Sequence, residues 1–225
     1  MEENNTIRVA HFSDLHGMWR FIEQKLPYLE DQNGEVELLI NTGDFLPNIG
    51  RPVNPEQEME FQANWFKQNK DGMFAAFGNR PVVTVDGNHD FICLGDILKE
   101  NDYQGEVLII RPGEVVTYKN KTFAGFSEIP YIMGEWNREV QGEELKRLSH
   151  LTLQQGAEIL LTHVPPAGIL SGPYGAGELT NALFYTEHNT KVHLFGHVHP
   201  EGGRTTVENE MRFYNSACSI SVFEI

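Results

Sequence analysis

The sequence predicts an α/β sandwich with mixed β-sheets in a chain of 225 residues. Short apolar runs alternate with longer segments of helical periodicity, which is typical of parallel strands joined by helices. Further short β-like runs follow in the second half of the chain, and they add antiparallel strands to the parallel ones. The hydrophobic content of 40% is sufficient for a sizeable core.

In the first half of the chain, three apolar runs are predicted to be buried strands, because each is short and ends in a polar cluster. They cover residues 7–13, 36–40 and 81–85. Two segments with helical spacing, residues 17–30 and 55–77, separate these strands. Their recurrent apolar residues predict core contacts at Trp19, Ile22, Leu26, Leu29, Met59, Trp65, Phe66, Met73 and Phe74.

The second half of the chain adds more strands and two helices. The predicted strands cover residues 107–110, 114–118, 121–126, 158–162 and 191–195. The predicted helices cover residues 142–155 and 177–188. The tail, residues 205–207 and 211–223, is predicted to form a closing antiparallel set. Since we find no internal repeat or linker, residues 1–225 are predicted to form a single domain.

Charge and composition exclude several functions. The formal net charge of −15 repels polyanions, and no run of Lys or Arg provides a local basic patch, so we expect no long nucleic-acid partner. A small substrate is favoured instead. Two cysteines, Cys93 and Cys218, are too few for a disulfide framework or a thiolate zinc site.

The N-terminal residues 1–5 are polar and acidic, which argues against a signal peptide. No apolar stretch approaches the roughly 18 residues of a membrane span. We therefore expect a cytoplasmic protein with no membrane partner. The sequence leaves its oligomeric state open.

Polar clusters directly follow five of the predicted strands. In open α/β sheets, ligands bind in the crevice outside the carboxyl ends of the strands, so these clusters are expected to meet at one edge. Carboxylate, amide and imidazole groups without sulfur suit divalent Mn, Fe, Zn or Ni, and they are too numerous for one tetrahedral ion. The clusters are Asp14-Leu15-His16, Gly43-Asp44, Gly87-Asn88-His89-Asp90, Thr162-His163 and Gly196-His197-Val198-His199.

Each cluster taken alone also has a structural explanation. An Asp-x-His after a strand is common turn chemistry, and Gly-Asp is nearly uninformative. Gly-Asn-His-Asp and Gly-His-x-His are more specific, because glycine allows close backbone approach and imidazole is a frequent metal ligand. Their joint occurrence in this order makes coincidence the poorer explanation.

The order Asp-x-His, Gly-Asp, Gly-Asn-His-Asp, His and Gly-His-x-His resembles the calcineurin-like metallophosphoesterases. This resemblance spans Asp14 to His199 and implies a four-layer αββα sandwich with two metal ions, with Mn expected first and Fe, Zn or Ni as alternatives. By the same resemblance Asp44 bridges the two ions. The first ion is assigned to Asp14, His16 and His199, and the second to Asn88, His163 and His197.

The stretches LLTHVPP and HLFGHVHPEGG are similar to small metallophosphoesterase-domain proteins related to class III cyclic nucleotide phosphodiesterases. Serine/threonine protein phosphatases fit less well, because their Gly-Asp continues into an Asp-Arg-Gly that supplies a phosphate-clamping arginine. Here Asp44 is followed by Phe45-Leu46-Pro47-Asn48, and Arg51 is out of register.

The resemblance implies hydrolysis of a small phosphodiester, with a cyclic nucleotide as one candidate, by attack of a metal-bound hydroxide. His89 follows the ligand Asn88 and is predicted to protonate the leaving group. Asp90 either orients His89 or pairs elsewhere. Tyr131, Trp136 and Tyr174 lie in predicted loops and are candidates for stacking on a base, although packing is the commoner role of a loop aromatic.

His11 and His193 fall inside predicted strands, so we expect them to be hydrogen-bonded core residues. Several functions remain as alternatives to the phosphodiesterase. They are a phosphomonoesterase or protein phosphatase, then a nuclease, and then a non-catalytic binding scaffold with a decayed metal site.

Overall fold

A computed structural model of the chain describes residues 6–225. Residues 1–5, on which the prediction of no signal peptide rests, lie outside the described part. No helix among residues 6–225 combines the length and the apolar composition that a membrane span requires.

The first sheet contains five strands in the order β13-β1-β2-β3-β4. Strands β1 to β4 are mutually parallel, with Val9 opposite Leu38 in the first pair, and β13 runs antiparallel to β1. The strands are β1 (Arg8–Ser13), β2 (Leu38–Thr42), β3 (Val82–Val85), β4 (Val107–Ile109) and β13 (Ser219–Glu224). The helices of this half are α1 (Arg20–Asn33), α2 (Pro55–Phe77) and α3 (Leu94–Glu100).

The second sheet contains six strands in the order β11-β12-β10-β9-β6-β5. Its central strands β12, β10, β9 and β6 are parallel, and an antiparallel strand borders each edge. The strands are β5 (Val115–Tyr118), β6 (Lys121–Phe126), β9 (Ile159–Thr162), β10 (Val192–Phe195), β11 (Arg204–Glu208) and β12 (Met211–Asn215). The helices are α4 (Gly142–Leu153) and α5 (Gly177–Tyr185), and a separate two-stranded pair consists of β7 (Ile129–Pro130) and β8 (Glu139–Val140).

Three hydrophobic layers hold these elements together. Side chains alternate between the two faces of a strand, so Leu39 packs with the helices of the first half while its neighbour Ile40 packs between the sheets. The layer between the sheets also contains Leu161 and Leu194 from the second sheet. A third layer joins the second sheet to α4 and α5. The predicted four-layer αββα sandwich with two mixed sheets is therefore confirmed.

Helix α2 shows both an expected start and an unexpected buried face. Its start is capped by Asn54, whose side chain accepts a hydrogen bond from the Gln57 N–H, and Pro55 occupies the first turn. The predicted core contact at Met59 is wrong, because this side chain is 47% exposed. The first turns of the helix instead bury two polar residues, Glu58 and Gln62, since both side chains bond backbone groups of adjacent loops.

Two further predictions about secondary structure need correction. Helix α3 and the short pair β7–β8 were not predicted, because each is too short to show a periodicity. The tail does not form one antiparallel set. Strand β12 pairs in parallel with β10, and β13 crosses to the first sheet, where it pairs with β1.

His11 and His193 are confirmed as buried core residues. Both ring nitrogens of His11 have hydroxyl partners, Thr42 Oγ1 and Ser216 Oγ, each at 2.9 Å. His193 has one partner, Thr162 Oγ1 at 2.8 Å, and its Nδ1 has none among the described residues. Burial lowers the pKa of each imidazole to about 3.

Candidate metal centre

The carboxyl ends of five strands, β1, β2, β3, β9 and β10, converge at the crevice between the two sheets. Hydrogen-bond-length contacts connect the polar side chains that follow these strands, across sequence separations of up to 185 residues. The structure thus brings together the seven predicted ligands Asp14, His16, Asp44, Asn88, His163, His197 and His199. That they hold metal remains a prediction, which the geometry below supports.

One part of the cluster consists of Asp14, His16 and His199, and we call it the outer group because both histidines are partly exposed. Asp14 Oδ1 lies 3.2 Å from His199 Nε2, which in turn lies 3.4 Å from His16 Nε2. The three donor atoms lie within 4.8 Å of one another. This spacing allows one ion to contact all three.

The other part consists of Asp44, Asn88, His163 and His197, which we call the inner group. His163 Nε2 lies 3.2 Å from Asp44 Oδ2 and 3.1 Å from Asn88 Oδ1. His197 Nδ1 lies 3.0 Å from the same Asn88 oxygen and 3.2 Å from His163 Nε2. Asp14, Asp44 and His163 also form a possible ligand set, so the two groups are contiguous.

His163 is oriented by the protein backbone. Its Nδ1 lies 2.8 Å from the Thr42 carbonyl oxygen, which can only accept, so Nδ1 donates a hydrogen bond to it and Nε2 faces the cluster. Burial by itself lowers the pKa of His163, but the adjacent Asp44 carboxylate outweighs this effect and raises it to about 9. The same negative field attracts a divalent cation.

Each carboxylate of the cluster uses one oxygen for the protein and directs the other at the cluster. Asp14 Oδ2 accepts hydrogen bonds from Ser13 Oγ at 2.6 Å and from the His197 N–H at 2.8 Å. Asp44 Oδ1 accepts the His89 N–H at 2.7 Å. Burial would raise the pKa of Asp44, but the imidazoles of His163, His89 and His16 hold it well below its usual value. Asp44 therefore presents a single ionised oxygen, Oδ2, to the cluster.

The backbone around the cluster is strained at the ligands themselves. Asp14, His16, Asp44 and His197 have φ angles of 56°, 44°, 52° and 65°, in the left-handed region that side chains other than glycine rarely adopt. Such outliers collect at functional sites, where the surrounding structure enforces them. Their occurrence at four of the seven predicted ligands points to a site selected for its geometry.

Two glycines allow the ligand loops to approach the carboxylates. A Cβ atom on Gly87 would lie 2.1 Å from Asp44 Oδ1, and one on Gly196 would lie 2.1 Å from Asp14 Oδ2. Neither contact is possible between nonbonded atoms. Glycine is therefore required at both positions, one beside the inner group and one beside the outer group.

His89 flanks the cluster without entering either group. Its ring lies 5.0 Å from the His16 ring, and its Nε2 lies 3.9 Å from Asp44 Oδ2. Desolvation is the main reason that the pKa of His89 is lowered, although Asp44 opposes the shift. The side chain is 22% exposed, so a substrate can reach it.

Asp90 pairs elsewhere rather than with His89, which decides between the two alternatives. Its carboxylate accepts the Leu46 N–H at 2.9 Å and the Gly87 N–H at 2.8 Å, so it joins the loops that follow β2 and β3. Burial next to Asp44 and Asp86 raises its pKa to about 8.

Of the three predicted stacking residues, Trp136 lies beside the cluster, with its ring 4.3 Å from the His89 ring. Tyr131 and Tyr174 are 52% and 67% exposed. Within residues 6–225, no ring contact joins either tyrosine to the seven predicted ligands. Base stacking by all three residues remains a prediction.

Four residues near the site were missed by the sequence reasoning. Glu58 and Gln62 anchor adjacent loops, and their i, i+4 spacing on the buried face of α2 was the available signal. Glu139 orders the loop that carries Trp136, and no sequence pattern marked it. Arg51 is out of register with the phosphate-clamping arginine of the protein phosphatases, but the structure places it against Trp136.

Comparison with known proteins identifies the family of this chain. The model of the calcineurin-like phosphoesterase family matches residues 7–201, so the chain belongs to that family. Membership identifies it as a metal-dependent hydrolase of phosphoric esters. No curated protein matches the sequence significantly.

Solved structures share the fold at low identity. One crystal structure matches with a TM-score of 0.66 at 14% identity, and the match covers 97% of this chain and 98% of the other chain. TT1561 of Thermus thermophilus matches with a TM-score of 0.60 at 14% identity, over 97% of this chain and 98% of its own. GAP50, the anchor in the inner membrane complex of Plasmodium, matches with a TM-score of 0.54 at 15% identity, over 96% of this chain and 72% of its own.

Proposed function

We propose that this chain hydrolyses a small phosphodiester, with a cyclic nucleotide as the first candidate, and that it uses two divalent metal ions. The observation that carries the proposal is the convergence of donor atoms within each group. In the inner group, His163 Nε2, His197 Nδ1 and Asn88 Oδ1 lie within 3.2 Å of one another. Nitrogen and oxygen donor atoms that converge at this distance can hold one cation between them.

We assign one ion to the outer group and one to the inner group, with Asp44 between them. The mixed oxygen and nitrogen donors, without sulfur, suit Mn first and also Fe, Zn or Ni. Asp44 would contribute to holding both ions, and its Oδ2 is the oxygen left for this, because its Oδ1 accepts the His89 N–H. When bound, such a pair of ions supplies Lewis-acid neutralisation of the phosphoryl oxygens and activation of water.

His89 would act as the proton donor to the leaving oxygen. It borders both groups, yet its ring nitrogens are not needed for either ligand set, and its side chain is reachable from solvent. Trp136 packs against the imidazole, with the two ring centroids 4.3 Å apart. The role of His89 is therefore to deliver a proton beside the reacting phosphorus.

The preference for a diester follows from charge. A diester carries one negative charge, whereas a monoester carries close to two near neutral pH, because its second pKa is about 6. Within residues 6–225, no guanidinium bonds the cluster to hold the extra charge. Arg138 is bound to Asp86 at 2.6 Å, and Arg51 lies over Trp136.

Other activities receive less support. The net charge of −15 opposes binding of a long nucleic acid, which a nuclease requires. A decayed scaffold would be expected to have lost ligands, whereas the seven predicted ligand positions are filled and brought together. A phosphomonoesterase is the strongest competitor, since two divalent ions attract mono- and diesters alike.

The test compares steady-state hydrolysis of several substrates with Mn²⁺ present. The substrates are 2′,3′- and 3′,5′-cyclic nucleotides, bis(4-nitrophenyl) phosphate and nucleoside monophosphates. We expect a higher kcat/KM for the cyclic nucleotides than for the matching monophosphates, and loss of all activity after chelation. A clear preference for the monophosphates would replace the diesterase with a phosphomonoesterase. Undiminished activity after complete removal of metal would contradict the metal requirement.

A further inference from the structure

Arg51 lies in the segment between β2 and α2, and its guanidinium carbon is 4.7 Å from the centroid of the Trp136 ring. The Trp136 ring in turn lies 4.3 Å from the His89 ring. Guanidinium, indole and imidazole thus form a continuous row of contacts from the exposed rim to the candidate metal centre, with the indole and imidazole planes tilted by 47°. We call these three residues the rim stack.

The segment that carries Arg51 is anchored by a buried carboxylate. Glu58 on α2 is 1% exposed, and it accepts the N–H groups of Ile49 at 2.9 Å and Gly50 at 3.3 Å. Gln62, one turn further along α2, donates to the carbonyl oxygens of Pro47 and His89. One helix face therefore positions both ends of the rim stack.

The middle of the rim stack is anchored in the same way. The Glu139 carboxylate accepts four backbone N–H groups at 2.7 to 3.0 Å, from Ile132, Met133, Gly134 and Trp136. These bonds lower the pKa of Glu139 against the opposing effect of burial, so the carboxylate stays ionised. Trp136 therefore projects from an ordered loop.

The charge of Arg51 is uncompensated by the protein. Within residues 6–225, no carboxylate lies within ion-pair distance of its guanidinium, although the chain has 32 acidic and 17 basic residues. Six other arginines each have such a partner. A guanidinium that lies over an indole ring keeps N–H donors available, and these match the oxygens of a phosphate.

We propose that Arg51 binds a second phosphate group of the substrate, next to the ester that is hydrolysed. Arg51 lies one ring further from the cluster than His89, so it is placed for the neighbouring group rather than for the reacting phosphorus. This inference rests on the proposed phosphoesterase function and refines its substrate class. The preferred substrate is a small diester that carries a further phosphate, ahead of a simple cyclic mononucleotide.

The kinetic test uses a matched pair of substrates, ethyl 4-nitrophenyl phosphate and 2-phosphoethyl 4-nitrophenyl phosphate. Wild-type protein should prefer the second substrate, and Arg51→Ala should reduce the ratio of the two kcat/KM values by about 10- to 100-fold, the range for losing a charged hydrogen bond. Arg51→Lys keeps the charge without the planar guanidinium, so its ratio of kcat/KM values should lie between those of the wild type and Arg51→Ala. Arg20→Ala is the control, because Arg20 lies over Trp19 at 5.4 Å, outside the rim stack.

A binding measurement keeps this inference separate from the proposed function. Calorimetry with ethane-1,2-bisphosphonate and ethylphosphonate should show a weaker affinity of Arg51→Ala for the bisphosphonate alone. If neither diester is hydrolysed but this selective loss is seen, the proposed function fails and the Arg51 site stands. An unchanged preference ratio in Arg51→Ala, or an equal loss for both phosphonates, would overturn the Arg51 site.

Discussion

In the inner group the His163 side chain is 0% exposed and hydrogen-bonded to the Thr42 carbonyl, whereas in the outer group the His199 side chain is 47% exposed. The His199 imidazole touches the cluster through Asp14 and His16. Protein atoms thus fix the inner ligands in advance, and the outer ligands depend more on the ion itself. We expect the inner ion to bind more tightly and the outer ion to exchange faster.

Asp44 faces both groups, so its substitution should have the largest effect. Asp44→Asn removes the charge of the carboxylate that the imidazoles hold ionised. We expect kcat/KM to fall by more than the roughly 10²–10⁴-fold that loss of one acid–base residue costs, because both ions are weakened. Asn88→Ala, which serves the inner group alone, is the comparison and should lose less. Wild-type turnover in Asp44→Asn would rule out the bridging assignment.

His89 belongs to neither group, so its loss should alter the chemistry and leave metal content unchanged. His89→Ala should lower kcat on an alkyl phosphodiester by about 10²–10⁴-fold, because an alkoxide leaving group requires a proton. The loss on a nitrophenyl ester should be much smaller. Equal losses on both esters, with metal content intact by mass spectrometry, would indicate a role in binding instead.

Gly196 tests whether close backbone approach defines the outer group. Gly196→Ala places a Cβ against Asp14 Oδ2, so we expect a stability loss of about 1–3 kcal/mol and weaker metal binding at the outer group. Gly177→Ala is the control, since a Cβ there has no neighbour within 4 Å and Gly177 opens helix α5. Thermal unfolding measures the stability of both variants. A neutral Gly196→Ala would show that the loop can relax away from Asp14.

The smallest expected effect on activity is at His193, which lies behind the inner group and contacts Thr162. Its pKa is about 3 in the folded protein and 6.5 when unfolded, so the unfolded chain binds the extra proton and stability falls as pH drops from about 6.5 toward 3. One such group contributes a slope of up to about 1.4 kcal/mol per pH unit. His193→Phe should flatten the urea-unfolding free energy between pH 6 and pH 4, with activity at pH 7.5 little affected. An unchanged slope would place that pH dependence elsewhere.

The sequence predicted which side chains meet in the cluster, because each directly follows a strand. Parallel strands carry such residues to a shared edge, so Asp14 and His197, far apart in the chain, were expected to meet. The solvent exposure of each ligand side chain could not be predicted in the same way. The difference between His163 and His199 depends on the Thr42 carbonyl behind one ring and solvent beside the other, and neither is encoded locally.

The rim and the tail depended on tertiary contacts even more. Glu139 accepts N–H groups from a loop without periodicity, and Arg51 reaches Trp136 across a segment with no regular structure. The tail strands show ordinary alternation, which does not specify a partner, so their division between the two sheets was missed. Local patterns specify elements and strand-end residues, while pairing and loop anchoring depend on the whole fold.

The division into an inner and an outer metal is tested most directly by a metal count on the wild-type protein and two single-ligand variants. Calorimetric titration with Mn²⁺, checked by elemental analysis, should give two ions of unequal affinity in the wild type. His199→Ala should lose the weaker ion and keep the tighter one, and His163→Ala should lose the tighter one. A single ion in the wild type would contradict the division into a tight inner and a labile outer metal. The same holds if His199→Ala loses the tighter ion and keeps the weaker one.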